Sequence, residues 1–155
     1  MLPVGSPTPH FSAKDQDGNT ITDASFLGTH TVLYFYPRDE TPGCTIQACS
    51  FRDSAEDLKA LGARVFGVSK DSTKSHQKFI ANHSLGFPLI SDPDHQVAEL
   101  FQVWVEKSMF GKKYFGMDRS TYILSPDGKV AAAYSNVNPL NHGSLIVEEI
   151  KRLTA

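Results

Sequence analysis

Cysteine is scarce in this chain, and so is a surplus of charge of either sign. Two cysteines, Cys44 and Cys49, stand in 155 residues, too few for the disulfide framework of a small secreted protein. Fifteen basic residues against seventeen acidic ones leave a net charge of −2. That balance offers no electrostatic footprint for a nucleic acid or an anionic membrane. No apolar run approaches the length of a membrane-spanning helix. Met1 to Pro7 also lacks the basic start and apolar stretch of a secretory signal, so a cytoplasmic protein is expected. The histidines at 10, 30, 76, 83, 95 and 142 stand singly, without a pair at helical spacing or a second cysteine pair. A structural zinc site is therefore not expected, nor is any other metal or cofactor.

A chain of this length can bury a sufficient core as one domain over residues 1–155. Both cysteines fall in one stretch, Tyr34-Phe35-Tyr36-Pro37-Arg38-Asp39-Glu40-Thr41-Pro42-Gly43-Cys44-Thr45-Ile46-Gln47-Ala48-Cys49. Upstream, Thr31 to Tyr36 is β-branched and aromatic, the composition of a buried strand, and Pro37 stops it by removing a backbone donor. Downstream, Ile46, Ala48, Cys49, Phe51, Ala55, Leu58 and Leu61 recur at helical spacing, and Gly62 is placed to end the helix. Cys44 then lies in the first helical turn, where unpaired N–H groups and the positive end of the helix dipole favour a thiolate. A buried, inert thiol is the bland alternative. On one continuous helix, residues five apart have Cα atoms roughly 8 to 9 Å apart, beyond the limit of about 7 Å for a disulfide. Any bond between Cys44 and Cys49 requires the start of that helix to unwind.

Elsewhere, Phe11 to Ile21 reads as a short hairpin around Asp17-Gly18, a covering element at the N-terminus. Ala63 to Ser69 reads as a second buried strand, and strand–helix–strand implies a right-handed parallel crossover. A helix capped by Ser72 follows, then a strand over Phe87–Ser91 and a short helix from Asp94 to Phe101. The aromatic and lysine-rich segment from Val103 to Met117 has no clean period and is expected to be a long surface loop. Arg119–Leu124 and Lys129–Tyr134 form a hairpin about Asp127-Gly128, and His142 to Leu153 closes the chain as an amphipathic helix.

The Pro37-x-x-x-Thr41-x-x-Cys44 pattern, with its flanking Tyr-Pro-Arg-Asp-Glu-Thr-Pro-Gly-Cys and a second cysteine five residues on, resembles the active-site signature of peroxiredoxins, in particular the peroxiredoxin Q or bacterioferritin comigratory protein class. The resemblance runs from Gly5-Ser6-Pro7 to the last helix. It implies an α/β, thioredoxin-like fold: a central mixed sheet flanked by helices, with an N-terminal hairpin extension. It also implies a thiol peroxidase acting on hydrogen peroxide and organic hydroperoxides. In that reading Cys44 is the peroxidatic nucleophile and Cys49 the resolving thiol, with Thr41, Arg119 and Pro37 completing the catalytic set. Gly43 brings the backbone close to the peroxide. Tyr36, Trp104 and Phe110 would line an apolar collar, with Phe35 and Phe115 as further aromatic neighbours. The implied partners are the peroxide and a thioredoxin-type thiol reductant, and a monomer is expected. Where many relatives carry Glu three residues after the reactive cysteine, this chain has Gln47.

Competing readings differ at identifiable residues. A protein disulfide oxidoreductase would carry Cys-x-x-Cys, whereas four residues separate Cys44 from Cys49. A redox sensor or holdase would use the same cysteine without turnover.

Overall fold

A computed structural model describes residues 1–155. In chain order its elements are β1 (Ser12–Asp15), β2 (Thr20–Thr22), a 3-10 turn (Asp23–Phe26), β3 (His30–Phe35), α1 (Pro42–Asp53), α2 (Ala55–Ala60), β4 (Ala63–Ser69), α3 (Thr73–His83) and β5 (Leu89–Ser91). There follow α4 (Gln96–Leu100), β6 (Trp104–Met109), β7 (Lys112–Met117), β8 (Ser120–Leu124), β9 (Val130–Tyr134) and α5 (His142–Thr154). No helix is long and apolar enough to cross a membrane.

Seven strands form one sheet in the order β2-β1-β5-β4-β3-β8-β9. The β3–β4 and β4–β5 pairs are parallel, while β3–β8, β8–β9, β1–β5 and β1–β2 are antiparallel. This is the mixed sheet of a thioredoxin-like fold. The N-terminal hairpin is more than a cover, because β1 pairs with β5 and extends the sheet by two strands.

Side chains on β3 alternate between faces, as the strand period requires. Val32, Tyr34 and Tyr36 join Cys44, Ala48, Phe51, Phe79, Ile146 and Ile150 in one buried cluster. Leu33 and Phe35 join Phe11, Phe26, Phe66, Phe101 and Tyr122 in a second. Cys44 on α1 belongs to the first side, together with Ile146 and Ile150 of α5.

Two expectations change. The helix expected to run as far as Leu61 is broken at Ser54, which caps α1 and starts α2 with non-helical dihedrals. The break lets α2 turn so that Leu58 reaches the core beside Phe51. Residues 103–117 are not a loop. They form a two-stranded ribbon, β6 paired with β7 from Trp104–Met117 to Met109–Lys112. Seven of its twelve strand residues are exposed, so neither face had to be uniformly apolar, and the alternation that marks a half-buried strand is missing.

Helices α1 and α5 pack closely at Gly143. A Cβ added at Gly143 would lie 2.3 Å from the Ser50 carbonyl oxygen and 2.7 Å from Ser54 Oγ, and the Gly143 N–H donates to Ser50 Oγ at 2.8 Å. Gly143→Ala must push the two helices apart, since backbone is the obstacle. We expect it to lower the unfolding free energy by roughly 1–3 kcal/mol, read from the midpoint of a denaturant titration.

Candidate active site

The strand β3 ends where its hydrogen bonding is used up. Tyr36 N–H still donates to Val68 O at 3.1 Å, and Pro37 has no N–H with which to continue. The chain then loops through residues 37–41 and enters α1 with Thr41 at the N-cap and Pro42 in the first turn. Pro42 suits that place, because its missing N–H would have had no helical partner.

Thr41 is an N-cap residue that does not cap. Its hydroxyl makes no bond to the first turn and instead donates to Arg38 O at 2.8 Å. The lone pairs of Thr41 Oγ1 are thereby left to accept, and the N–H groups of Gly43 and Cys44 are not closed by the cap.

Cys44 is buried, at 1 % exposure. Arg119 approaches from the start of β8: its Nη2 donates to Cys44 Sγ at 3.3 Å and its Nη1 to Gln47 Oε1 at 2.7 Å. One planar guanidinium thus spans two residues on consecutive turns of α1. The guanidinium can only donate, so the sulfur is the acceptor in this contact. The approach is possible because residue 43 is glycine, where an added Cβ would stand 3.2 Å from Arg119 Nη2. Gln47 is fully buried. Its Oε1 faces the guanidinium, which can only donate, so its Nε2 carries the hydrogens, and that atom has no partner.

Cys49 lies farther along the same unbroken helix. Both thiols are free, Cys44 buried and Cys49 half-buried. Cys49 borders a cleft of about 440 Å³ between α1 and the start of α5, with Ile46, Ser50, Asp53, Leu140 and Ser144 among its walls.

The aromatic collar is not gathered here. Tyr36 is buried at 1 % exposure, and its hydroxyl donates to Asp39 at 2.5 Å. Phe35 and Trp104 pack on the opposite face of the sheet from Cys44, Trp104 stacked on His95. Phe110 sits at the tip of the β6–β7 ribbon at 99 % exposure, and Phe115 is also exposed. Strand alternation put Phe35 on the far side, and the ribbon carried the later aromatics away. The exposed apolar side chains beside the cysteine helix are Ile46 and Leu140. No group of His, Cys, Asp or Glu is arranged to hold a metal ion.

The sequence matches the AhpC/TSA family over residues 4–133. It is 40 % identical to peroxiredoxin Bcp of Escherichia coli over 150 residues, covering 97 % of this chain and 96 % of that one. It is 39 % identical to peroxiredoxin Bcp of Bacillus subtilis over 153 residues, covering 99 % and 98 %. The chain belongs to the AhpC/TSA family. Among solved structures, the Xanthomonas campestris bacterioferritin comigratory protein, studied for its alkyl peroxide reduction activity, superposes with a TM-score of 0.90 at 36 % identity, over 94 % of this chain and 92 % of that one. The protein is accordingly a peroxiredoxin, an enzyme of the thiol peroxidase type with the thioredoxin-like fold.

One neighbour of this peroxiredoxin's site escaped the sequence reading. His142 opens α5 and is buried beside Thr121, with Nε2 2.8 Å from Thr121 Oγ1 and its ring edge-on to Phe51. Burial, and then the nearby Arg119 charge, push its pKa down from 6.5 to about 4. A lone histidine at a helix start carries no local signal of this. Between those two values the unfolded chain binds a proton that the folded chain refuses, so the stability present above pH 6.5 falls on acidification. Comparing pH 7 with pH 4.5, the wild type should lose about 2–3 kcal/mol more of its unfolding free energy than His142→Gln does. Denaturant titrations of both proteins at the two pH values check this.

Proposed function

We propose that this peroxiredoxin reduces hydrogen peroxide and organic hydroperoxides through Cys44 and regenerates through Cys49, over one domain comprising residues 1–155. The observation that carries the reading is the Arg119 guanidinium donating to Cys44 Sγ at the first turn of α1. A fixed cation and a helix N-terminus converge there on one buried sulfur, the attacking atom in this reading.

The Cys44 thiolate displaces one peroxide oxygen from the other. The S–O bond forms as the O–O bond breaks, and the departing oxygen takes up negative charge and then a proton, leaving as water or an alcohol. Arg119 and the Gly43 and Cys44 N–H groups donate to the two oxygens. Thr41, whose own hydrogen is committed to Arg38 O, accepts the peroxide's O–H and so orients the attacked oxygen. Pro37 closes the loop over the site and keeps water from the sulfur. Gln47 does for Arg119 what a carboxylate would do, without adding negative charge near the thiolate.

Cys44 is left as a sulfenic acid. The Cys49 thiolate attacks that sulfur, water leaves, and a disulfide forms. With both residues on one continuous α1, about 8 to 9 Å apart at Cα, the bond requires the first turns of α1 to unwind. Cys49, at the rim of the α1–α5 cleft, then faces a dithiol reductant of the thioredoxin type, which restores both thiols by exchange. The alkyl peroxide reduction of the Xanthomonas relative supports organic hydroperoxides as substrates. We place the enzyme in the cytoplasm as a monomer.

Reduced protein mixed with one equivalent of hydrogen peroxide and examined by intact mass and peptide mapping tests this directly. The wild type should lose two hydrogens as a Cys44–Cys49 bridge, Cys49→Ser should gain one oxygen at Cys44, and Cys44→Ser should stay inert. Peroxide consumption by Cys44→Ser, or first oxidation at Cys49, would overturn the roles. A second expectation concerns Gln47→Ala, which strips Arg119 of its acceptor. Its second-order rate with peroxide should fall roughly ten- to hundredfold, the ratio matching about 1.5–3 kcal/mol for a hydrogen bond to a charged group, as measured by stopped flow.

A further inference from the structure

Helix α3 supplies none of the residues assigned to the reaction, yet one of its faces grips the loop that leads to Thr41. Ser75 and His76 hold Asp39, and Asn82 and His83, seven residues on and therefore on the same face, hold Glu40. Asp39 is 5 % exposed and His76 is fully buried. One Asp39 carboxylate oxygen accepts from Tyr36 Oη at 2.5 Å. The other accepts from Ser75 Oγ at 2.8 Å and meets His76 Nδ1 at 2.7 Å. The remaining ring nitrogen, Nε2, is 3.0 Å from the Ile90 carbonyl oxygen. A carbonyl can only accept. Nε2–H therefore donates to the Ile90 carbonyl, and Nδ1 and the Asp39 carboxyl share one hydrogen between them, so that every polar atom of the pair has a partner. Glu40 is held in the left-handed region, with φ +63. Its carboxylate takes Asn82 Nδ2 at 3.0 Å and contacts His83 Nε2 at 3.1 Å.

The grip reaches the reaction through a single peptide unit. The Arg38 carbonyl and the Asp39 N–H belong to one planar group. Its N–H end donates to Asp71 Oδ2 at 2.8 Å, and Asp71 is itself fixed by Ser69 Oγ at 2.6 Å. Its carbonyl end receives the Thr41 hydroxyl hydrogen at 2.8 Å. Asp39, locked by His76, sets the plane of that unit, and the plane decides where the Thr41 hydrogen points and so where its lone pairs are presented.

We infer that His76 is a positioning residue for peroxide reduction: acting through Asp39 and the Arg38–Asp39 peptide, it holds Thr41 as an acceptor for the peroxide O–H. This rests on the peroxidatic roles proposed above for Cys44 and Thr41.

The test uses full-length protein carrying Cys49→Ser, so that Cys44 stops at the sulfenic acid and is the sole thiol. Two second-order rates are measured on each variant: oxidation by hydrogen peroxide, and alkylation by iodoacetamide, which needs the thiolate but no acceptor for a peroxide proton. His76→Phe should slow peroxide oxidation about ten- to hundredfold while leaving alkylation within about twofold. His76→Asn, which retains a donor toward Asp39, should restore most of the peroxide rate. In a Thr41→Val background His76→Phe should have no further effect, since the group it positions is gone. Rates that fall together, an unchanged peroxide rate, or a His76→Phe effect that persists with Thr41→Val would each overturn the inference. Should His76→Phe fail to fold by circular dichroism, Ser75→Ala removes one donor from Asp39 at a half-buried position. It should slow peroxide oxidation by about threefold with alkylation unchanged, and the absence of that selectivity counts against the proposal. If Cys44 in the Cys49→Ser parent is itself inert to peroxide, the peroxidatic assignment fails, and this inference with it.

Discussion

The Arg119 guanidinium holds this site together. It bonds Cys44 Sγ and Gln47 Oε1 at once, tying the first two turns of α1 to the start of β8 across the sheet. Because the guanidinium is planar and permanently charged, it fixes direction as well as charge. Everything around it follows from making that reach possible. Residue 43 has no Cβ to obstruct it. β3 and β8 pair in register, Phe35 opposite Ser120, so that the residue just before β8 emerges beside the loop after β3. The Arg119 carbonyl is in turn held by the Val137 N–H at 2.9 Å.

The same arrangement holds α1 differently at its two ends. Its buried side, Ala48 and Phe51, packs into the core with Tyr34, and Phe51 stacks on Tyr34 at 4.6 Å. Its first turn, by contrast, has an N-cap hydroxyl turned away to Arg38 and a sulfur held by a cation from another element. The α1–α5 contact at Ser50 and Gly143, just beyond Cys49, anchors the rest of the helix.

On the other side of the loop, α3 provides rigidity of a different kind. Buried polar pairs are seldom large net contributors to stability, because desolvation opposes the attraction, but they hold geometry tightly when every hydrogen bond is met. The Asp39–His76 pair meets that condition, with Tyr36, Ser75 and Ile90 completing its partners. Its placement next to a residue in the left-handed region, Glu40, is consistent with backbone strain held by surrounding contacts.

By itself the sequence determined the local parts of this protein. The β-branched run before Pro37, the hairpins at Asp17-Gly18 and Asp127-Gly128, the Ser72 cap, the stripe on α5, and the place of Cys44 in the first turn of a helix are all set by neighbours within a few residues. The family motif around Thr41 and Cys44 is local in the same sense. The resemblance also put Arg119 with Cys44, and the structure gave that meeting its geometry across 75 positions. Only the tertiary structure decided which other distant side chains meet: His76 with Asp39 across 37 positions and His142 with Thr121 across 21. It also decided that Phe35 and Trp104 face away from the sulfur while β6 and β7 pair in place of a loop. Periodicity reports which face of an element is apolar. It says nothing of which partner covers that face, or of what a lone polar residue will find there, because those follow from strand order and register, which only long-range packing sets.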